Sequence, residues 1–136
     1  MTTLGPDMRL RALAADLTAG RYKVLSLDVF DTLIWRRVPE PADIFYQVGR
    51  SLKDADLLAG QITVTQFAHL RVAAAKAARA KAEAKMGSRE VLLVDIYAAL
   101  PEHIWRGSDS AIAAITREVA IEAESMVLDR GVVDLM

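Results

Sequence analysis

No cysteine occurs in the 136 residues. Its absence excludes a disulfide framework, a thiol nucleophile and a cysteine-ligated metal, and it fits a reducing compartment such as the cytoplasm. Histidine is almost as scarce. His69 and His103 are the only two, they lie far apart without ligand spacing, and they read as ordinary surface or partly buried residues. Charge of one sign is not in excess: 17 Lys and Arg stand against 18 Asp and Glu, for a net charge of -1 and a pI near 6.1. No global basic field exists to draw in nucleic acid or anionic lipid. No stretch approaches the roughly 18 apolar residues a membrane span needs. The first 18 residues interrupt their apolar positions with Asp7, Arg9, Arg11 and Asp16, so they lack the continuous apolar region of a secretory signal. The expectation is a soluble, cytoplasmic chain without nucleic-acid or membrane partners. Repeats of useful period are also absent.

Hydrophobic residues make up 53% of the chain, but much of that is alanine, the strongest helix former and a poor filler of cores. The pattern is correspondingly helical. Residues 7–18 carry Met8, Leu10, Leu13 and Leu17 close to one face, with Gly20 as a stop signal. After Pro39 and Pro41, residues 42–52 place Ile44, Phe45 and Val48 on one side. Thr63 or Thr65 is placed to cap a long alanine-rich helix that runs to about Lys85 and stops at Gly87. Shorter helices are predicted over 92–100, bounded by Pro101, and over 110–127, with the start of another at 131–136. The basic series Arg71, Lys76, Arg79, Lys81 and Lys85 has no interleaved aromatics and reads as a solvated helix face. Glu118 and Glu122 share a face at spacing four, as surface carboxylates on helices commonly do. Trp35 and Trp105 read as packing residues.

One segment differs. Residues 22–29 are rich in Val and Leu and broken only by Ser26, the pattern of a strand buried on both faces of a parallel sheet. Asp28 ends that run, where a parallel strand delivers a side chain to its carboxyl edge. Asp31 and Thr32 follow. Any Asp-x-x-Asp-Thr can be mere turn and capping chemistry, but here an apolar run precedes it. A single strand cannot satisfy both of its backbone edges, and residues 91–94 are the only other strand candidate. The unpaired strand is therefore a candidate surface for self-association or a partner.

The segment Asp28-Val29-Phe30-Asp31-Thr32-Leu33 resembles the first motif of the haloacid dehalogenase superfamily: an apolar strand ending in Asp, then Thr-Leu a few residues on. A subgroup of that superfamily is similar over a longer stretch. It continues with an Arg, a Pro and an Asp-hydrophobic-Phe helix, then an Arg-led helix, an Asp-Ile-Tyr segment and a Glu-rich helix. Arg36, Pro41, Asp43-Ile44-Phe45, Arg71, Asp95-Ile96-Tyr97 and Glu118, Glu122 and Glu124 follow in that order. The resemblance implies a chain that is mostly α, with one Rossmann-like core strand and a helical cap from an α/β fold. Residues 1–35 would hold the first helix and the nucleophile strand, 36–127 the cap, and 128–136 the return toward a core the chain does not contain.

It also implies a hydrolase of phosphatase or dehalogenase type acting on a small phosphorylated or halogenated metabolite. Asp28 would be the nucleophile, forming a covalent aspartyl intermediate. Thr32 is the matching hydroxyl and Asp31 a further candidate catalytic residue. Mg²⁺ would be held by Asp28 and the backbone carbonyl of Phe30. The departure is Phe30, which stands where phosphatases of the family carry a second Asp as general acid; Asp31 lies one residue further, where the motif has Gly, so the acid role does not simply transfer to it. Three of the family's four motifs find no match, so the expectation is a truncated enzyme, inactive alone. The alternative is a non-catalytic helical interaction protein that keeps the motif as a relic.

Overall fold

In the computed structural model, which describes residues 8–135, the chain is mostly helical and divides into two units. Residues 38–125 form one; residues 8–37 and 126–135 form the other.

The larger unit is a helical array. Pro41–Asp43 makes one 3₁₀ turn into helix α2 (Ile44–Asp54), the first helix of this unit. Asp43 sits at the start of α2, and its Oδ2 accepts from Glu40 N at 3.0 Å. Ile44, Val48 and Leu52 recur every four residues and are fully buried, so α2 presents one apolar stripe. It packs against α3 (Val64–Met86) and α5 (Ser110–Ser125). Where α2 meets α3, a methyl on Gly49 would come within 3.0 Å of Phe67 Cδ1 and 3.3 Å of the Val64 carbonyl oxygen, so glycine is what lets the two helices approach.

Helix α3 begins at Thr63, whose Oγ1 accepts from Gln66 N while Thr63 N donates to Gln66 Oε1, a reciprocal cap. It ends at Gly87, which takes the left-handed φ of 69° and donates to Glu83 O. Helix α4 (Leu93–Ala98) packs on α3 and α5, and Asp95 Oδ2 accepts from Leu92 N at 3.1 Å. The connection after α2 is pinned by Lys53 Nζ donating to Ile62 O at 2.7 Å, and by two backbone bonds to the turn at Glu102–Ile104 and the chain just beyond it: Ala59 N to Ile104 O and Arg106 N to Leu57 O. Phe67, Ile96, Leu100, Ile104 and Ala114 close the core between these helices.

The smaller unit contains α1 (Met8–Thr18), a two-stranded antiparallel ribbon and a short helix α6 (Arg130–Val133). Strand β1 (Ile34–Arg36) pairs with β2 (Met126–Leu128) in the register Ile34↔Leu128, Trp35↔Val127 and Arg36↔Met126. Asp129 caps α6 through its Oδ1, which accepts from Val132 N, and its own N–H donates to Leu33 O at 2.8 Å. Leu10, Leu13 and Leu17 of α1 are half-buried, while Met8 is exposed.

Three expectations from sequence are corrected here. Residues 22–29 are not a strand buried on both faces: they are irregular, the backbone–backbone hydrogen bonds they enter among the described residues are the two turn bonds accepted by Val29 O, and Val24 is 83% exposed. A central parallel strand exists only with neighbours on both edges, and the described residues supply none. The strands that do form, β1 and β2, are three residues each and lie outside the expected run; the chain beyond Ser125 is strand where helix was expected to reach 127. Residues 91–94 are not a strand either, since Leu93 and Val94 open α4. No helix among the described residues is long and apolar enough to cross a membrane.

Candidate functional site

The Asp28 segment is a tight turn. Val29 O accepts from both Leu33 N (3.0 Å) and Ile34 N (2.9 Å), and Asp31 N donates to Ile34 O (2.9 Å). These bonds bring Phe30 beside Ile34 and lead directly into β1. Asp31 sits at the crest with φ 59°. Left-handed backbone is open to glycine and, among other residues, best tolerated by Asn and Asp. That accounts for an Asp at the crest: the conformation of the backbone is what the position requires.

Asp28 is exposed, and its Oδ1 accepts from the adjacent Val29 N at 2.8 Å. One carboxylate oxygen is thus tethered to the backbone and Oδ2 is left available. Asp31 is exposed and Thr32 half-buried. Phe30 is 45% exposed, and the guanidinium of Arg36 lies 4.7 Å from its ring centroid. In place of a second carboxylate, then, the position two residues after Asp28 offers an aromatic face on which a cation rests, a contact of about 0.5–1 kcal/mol at an exposed site.

Asp28, Phe30, Asp31 and Thr32 thus share one turn. Among the described residues no ion pair reaches Asp28 or Asp31, and no group of three or more His, Asp or Glu is arranged to hold a metal. His69 and His103 are both exposed.

The larger unit contains a polar cluster that charge patterning alone misassigned. Arg71 and Glu118, read from sequence as surface charges, are 4% and 3% exposed. Arg71 Nε donates to Glu118 Oε2 at 3.0 Å and Nη2 to Oε1 at 2.6 Å, a bidentate pair. Tyr97 Oη donates to Glu118 Oε2 at 2.7 Å. The guanidinium also lies 4.5 Å from the ring centre of Phe45 and 5.6 Å from that of Tyr97, while its Nη1 has no hydrogen-bond partner among the described residues. Trp105 stacks on Tyr97 with centroids 5.9 Å apart.

The signal for this burial was present in the spacing. Phe67, Arg71, Ala74, Ala78 and Ala82 fall on one helical stripe whose other members are all buried and apolar, while Glu118 shares the buried face of α5 with Ser110, Ala114 and Ser125. The two Asp-Ile-aromatic triplets do parallel work. In each, Asp accepts the hydrogen bond that starts a helix, Ile enters the core, and the aromatic ring meets Arg71.

Burial pushes the Tyr97 hydroxyl well above its ordinary value of 10.0, the Glu118 carboxylate adds to the rise by charge and hydrogen bond, and Arg71 opposes it. Tyr97 therefore stays protonated in the folded state and serves as a donor to Glu118.

No family model matches the chain, and no curated protein matches it.

Replacing Arg71 by Met leaves a buried carboxylate without its cation and is expected to cost about 3–5 kcal/mol in urea unfolding. The double variant Arg71→Met with Glu118→Leu should recover much of that loss; a double variant as unstable as the sum of the singles would show that the pair is not coupled. The raised Tyr97 value sets a second expectation. Its contribution is full below pH 10 and is lost as pH rises past 10, where the unfolded chain releases the proton and the folded chain keeps it, by up to about 1.4 kcal/mol per pH unit. Unfolding free energies between pH 9 and about 11 should fall more steeply for the native chain than for Tyr97→Phe. At the turn, Asp31→Gly should be tolerated, while Asp31→Val should weaken the turn by about 1–2 kcal/mol. Hydrogen exchange of the Leu33 and Ile34 amides reads this directly, and equal protection in both variants would contradict it.

Proposed function

We propose that this chain is a haloacid-dehalogenase-like hydrolase element, in which the Asp28 turn is the nucleophile loop and residues 38–125 are its helical cap. One observation carries the reading. The helical unit is an excursion from a single point in the chain, leaving after β1 and returning into β2, with Arg36 and Met126 paired across the ribbon. That point follows the Asp28 turn immediately, where an inserted cap belongs in the resembling family.

In this reading the Val29 N–H fixes Asp28 Oδ1, so that Oδ2 attacks the phosphorus of a small phosphorylated metabolite, or the halogen-bearing carbon of a halogenated one. The new bond is an acyl phosphate or ester to Asp28, the leaving group departs with the electron pair, and water then hydrolyses the intermediate. Phe30 supplies no proton, so substrates whose leaving groups depart unprotonated are favoured over ordinary phosphomonoesters. Asp31 holds the backbone of the turn and Thr32 flanks the nucleophile. The Asp28 carboxylate and the Phe30 carbonyl are hard oxygen donors that suit Mg²⁺, whose other ligands are commonly water and substrate oxygens. When bound, the ion offsets phosphate charge. Turnover by this chain alone is expected to be slow, because no cation among the described residues reaches ion-pair distance of Asp28 to stabilise developing charge. A cytoplasmic location, where such metabolites and Mg²⁺ abound, belongs to the same proposal.

Incubation with acetyl phosphate and Mg²⁺, followed by peptide mass mapping, tests it. The expected outcome is a hydroxylamine-sensitive phosphoryl group on Asp28, absent in Asp28→Asn. No adduct at Asp28, together with no beryllium fluoride complex, would leave the relic motif of a non-catalytic interaction protein as the better account.

A further inference from the structure

Two arginines of the helical unit stand out from its other surface charges. Arg50 on α2 and Arg117 on α5 line one open depression together with Gln47, Ser51, Asp54 and Ala55. Neither guanidinium is in an ion pair among the described residues. Asp54 lies one turn from Arg50 on the same helix, yet outside ion-pair distance. The depression therefore carries two positive charges against one negative.

The arginine of α5 is also held in place. Arg117 Nη1 donates to Ser51 Oγ at 2.9 Å across the two helices. A serine hydroxyl that accepts such a bond keeps its own proton to donate. The depression thus gathers the remaining N–H groups of Arg117, the fork of Arg50, the Ser51 O–H and the Gln47 amide, all donors, from two helices that pack on each other. A second effect besides the Asp54 carboxylate opposes anion binding: Arg50 and Ser51 lie in the C-terminal half of α2, where the helix dipole amounts to about -0.5 charge. Two full guanidinium charges outweigh it.

We propose that this depression binds a phosphate group. Planar, multiply donating guanidinium groups match tetrahedral oxyanions through paired hydrogen bonds, and the hydroxyl and amide beside them fill the remaining acceptor positions. The site is open to solvent, so its affinity for a single phosphate is expected to be weak, about millimolar. It lies wholly within the helical unit and does not depend on the reading of Asp28.

Titration with inorganic phosphate, followed by amide and arginine Nε chemical shifts at constant ionic strength, tests the proposal. Saturable shifts are expected at Gln47, Ser51 and the Arg50 and Arg117 side chains. Arg50→Gln and Arg117→Gln, both exposed on helix surfaces, should each weaken binding by about tenfold, while Asp28→Asn should leave it unchanged. A parallel titration with glycerol phosphate distinguishes the source of the group: tighter binding than inorganic phosphate points to a phosphorylated metabolite, equal binding to the free anion. Shifts reproduced by chloride at the same ionic strength, or titrations of both arginine variants that match the native chain, would overturn the proposal.

Discussion

Burying a guanidinium is the constraint to which the helical unit conforms. An arginine removed from water costs several kcal/mol unless its charge and its donors are met. Arg71 is met from several directions: by the Glu118 carboxylate of α5, by the Phe45 ring near the start of α2 and by the Tyr97 ring of α4. Each contact requires its helix to present one particular residue to α3, so the rotational settings of α2, α4 and α5 about their own axes are tied to one side chain. Apolar packing alone would not fix them so tightly, because alanine-rich stripes such as Ala74, Ala78 and Ala82 can slide against a neighbour with little loss. Tyr97 completes the arrangement by donating to the same carboxylate and by stacking on Trp105, which joins the turn after α4 to the core.

What could be read from the sequence divides along the same physical line. Local chemistry was legible. Thr63 and Gln66 form the reciprocal cap that the Thr-x-x-Gln spacing encodes, Gly87 takes the left-handed conformation that ends α3, and Gly20 takes the same conformation just beyond α1. The existence and approximate extent of the helices follow from such signals. Long-range pairing was not legible. Arg71 and Glu118 are 47 residues apart, and nothing local distinguishes a charge that finds its partner inside the fold from one that faces solvent, except, for Arg71, its place on an otherwise apolar stripe. β1 and β2 failed to register for the same reason: three residues are too few for an alternation pattern, and their partners lie at opposite ends of the helical excursion. Residues 22–29 erred in the other direction, since an apolar run reads as a buried strand whether or not neighbours are present to make it one.

The turn from Asp28 to Ile34 is set by its backbone hydrogen bonds more than by its side chains. Asp31 occupies a left-handed position without being glycine, and Phe30 lends its ring to the guanidinium of Arg36. Neither residue disrupts the double acceptance at Val29 O that defines the turn. The Asp28 side chain is held to the same turn by accepting from Val29 N–H.

The ribbon explains how so large a helical unit can follow so small a turn. Closing a chain excursion costs entropy that grows only with the logarithm of its length, so an inserted unit is tolerated if its own ends meet. The pairing of Arg36 with Met126 imposes that condition, and the Asp129 N–H to Leu33 O bond continues it one residue beyond the paired strands. The same backbone that ends the Asp28 turn therefore also receives the returning chain. Under the proposed function this has a consequence for how the two units can vary. The helical unit fixes its packing through Arg71, Glu118 and Tyr97, all of its own helices, whereas the turn leads directly into the ribbon that the unit's two ends must reach. Side chains on the helices can change substrate preference without disturbing Asp28, but a shift in the register of Arg36 against Met126 would move the strand that grows directly out of the nucleophile turn.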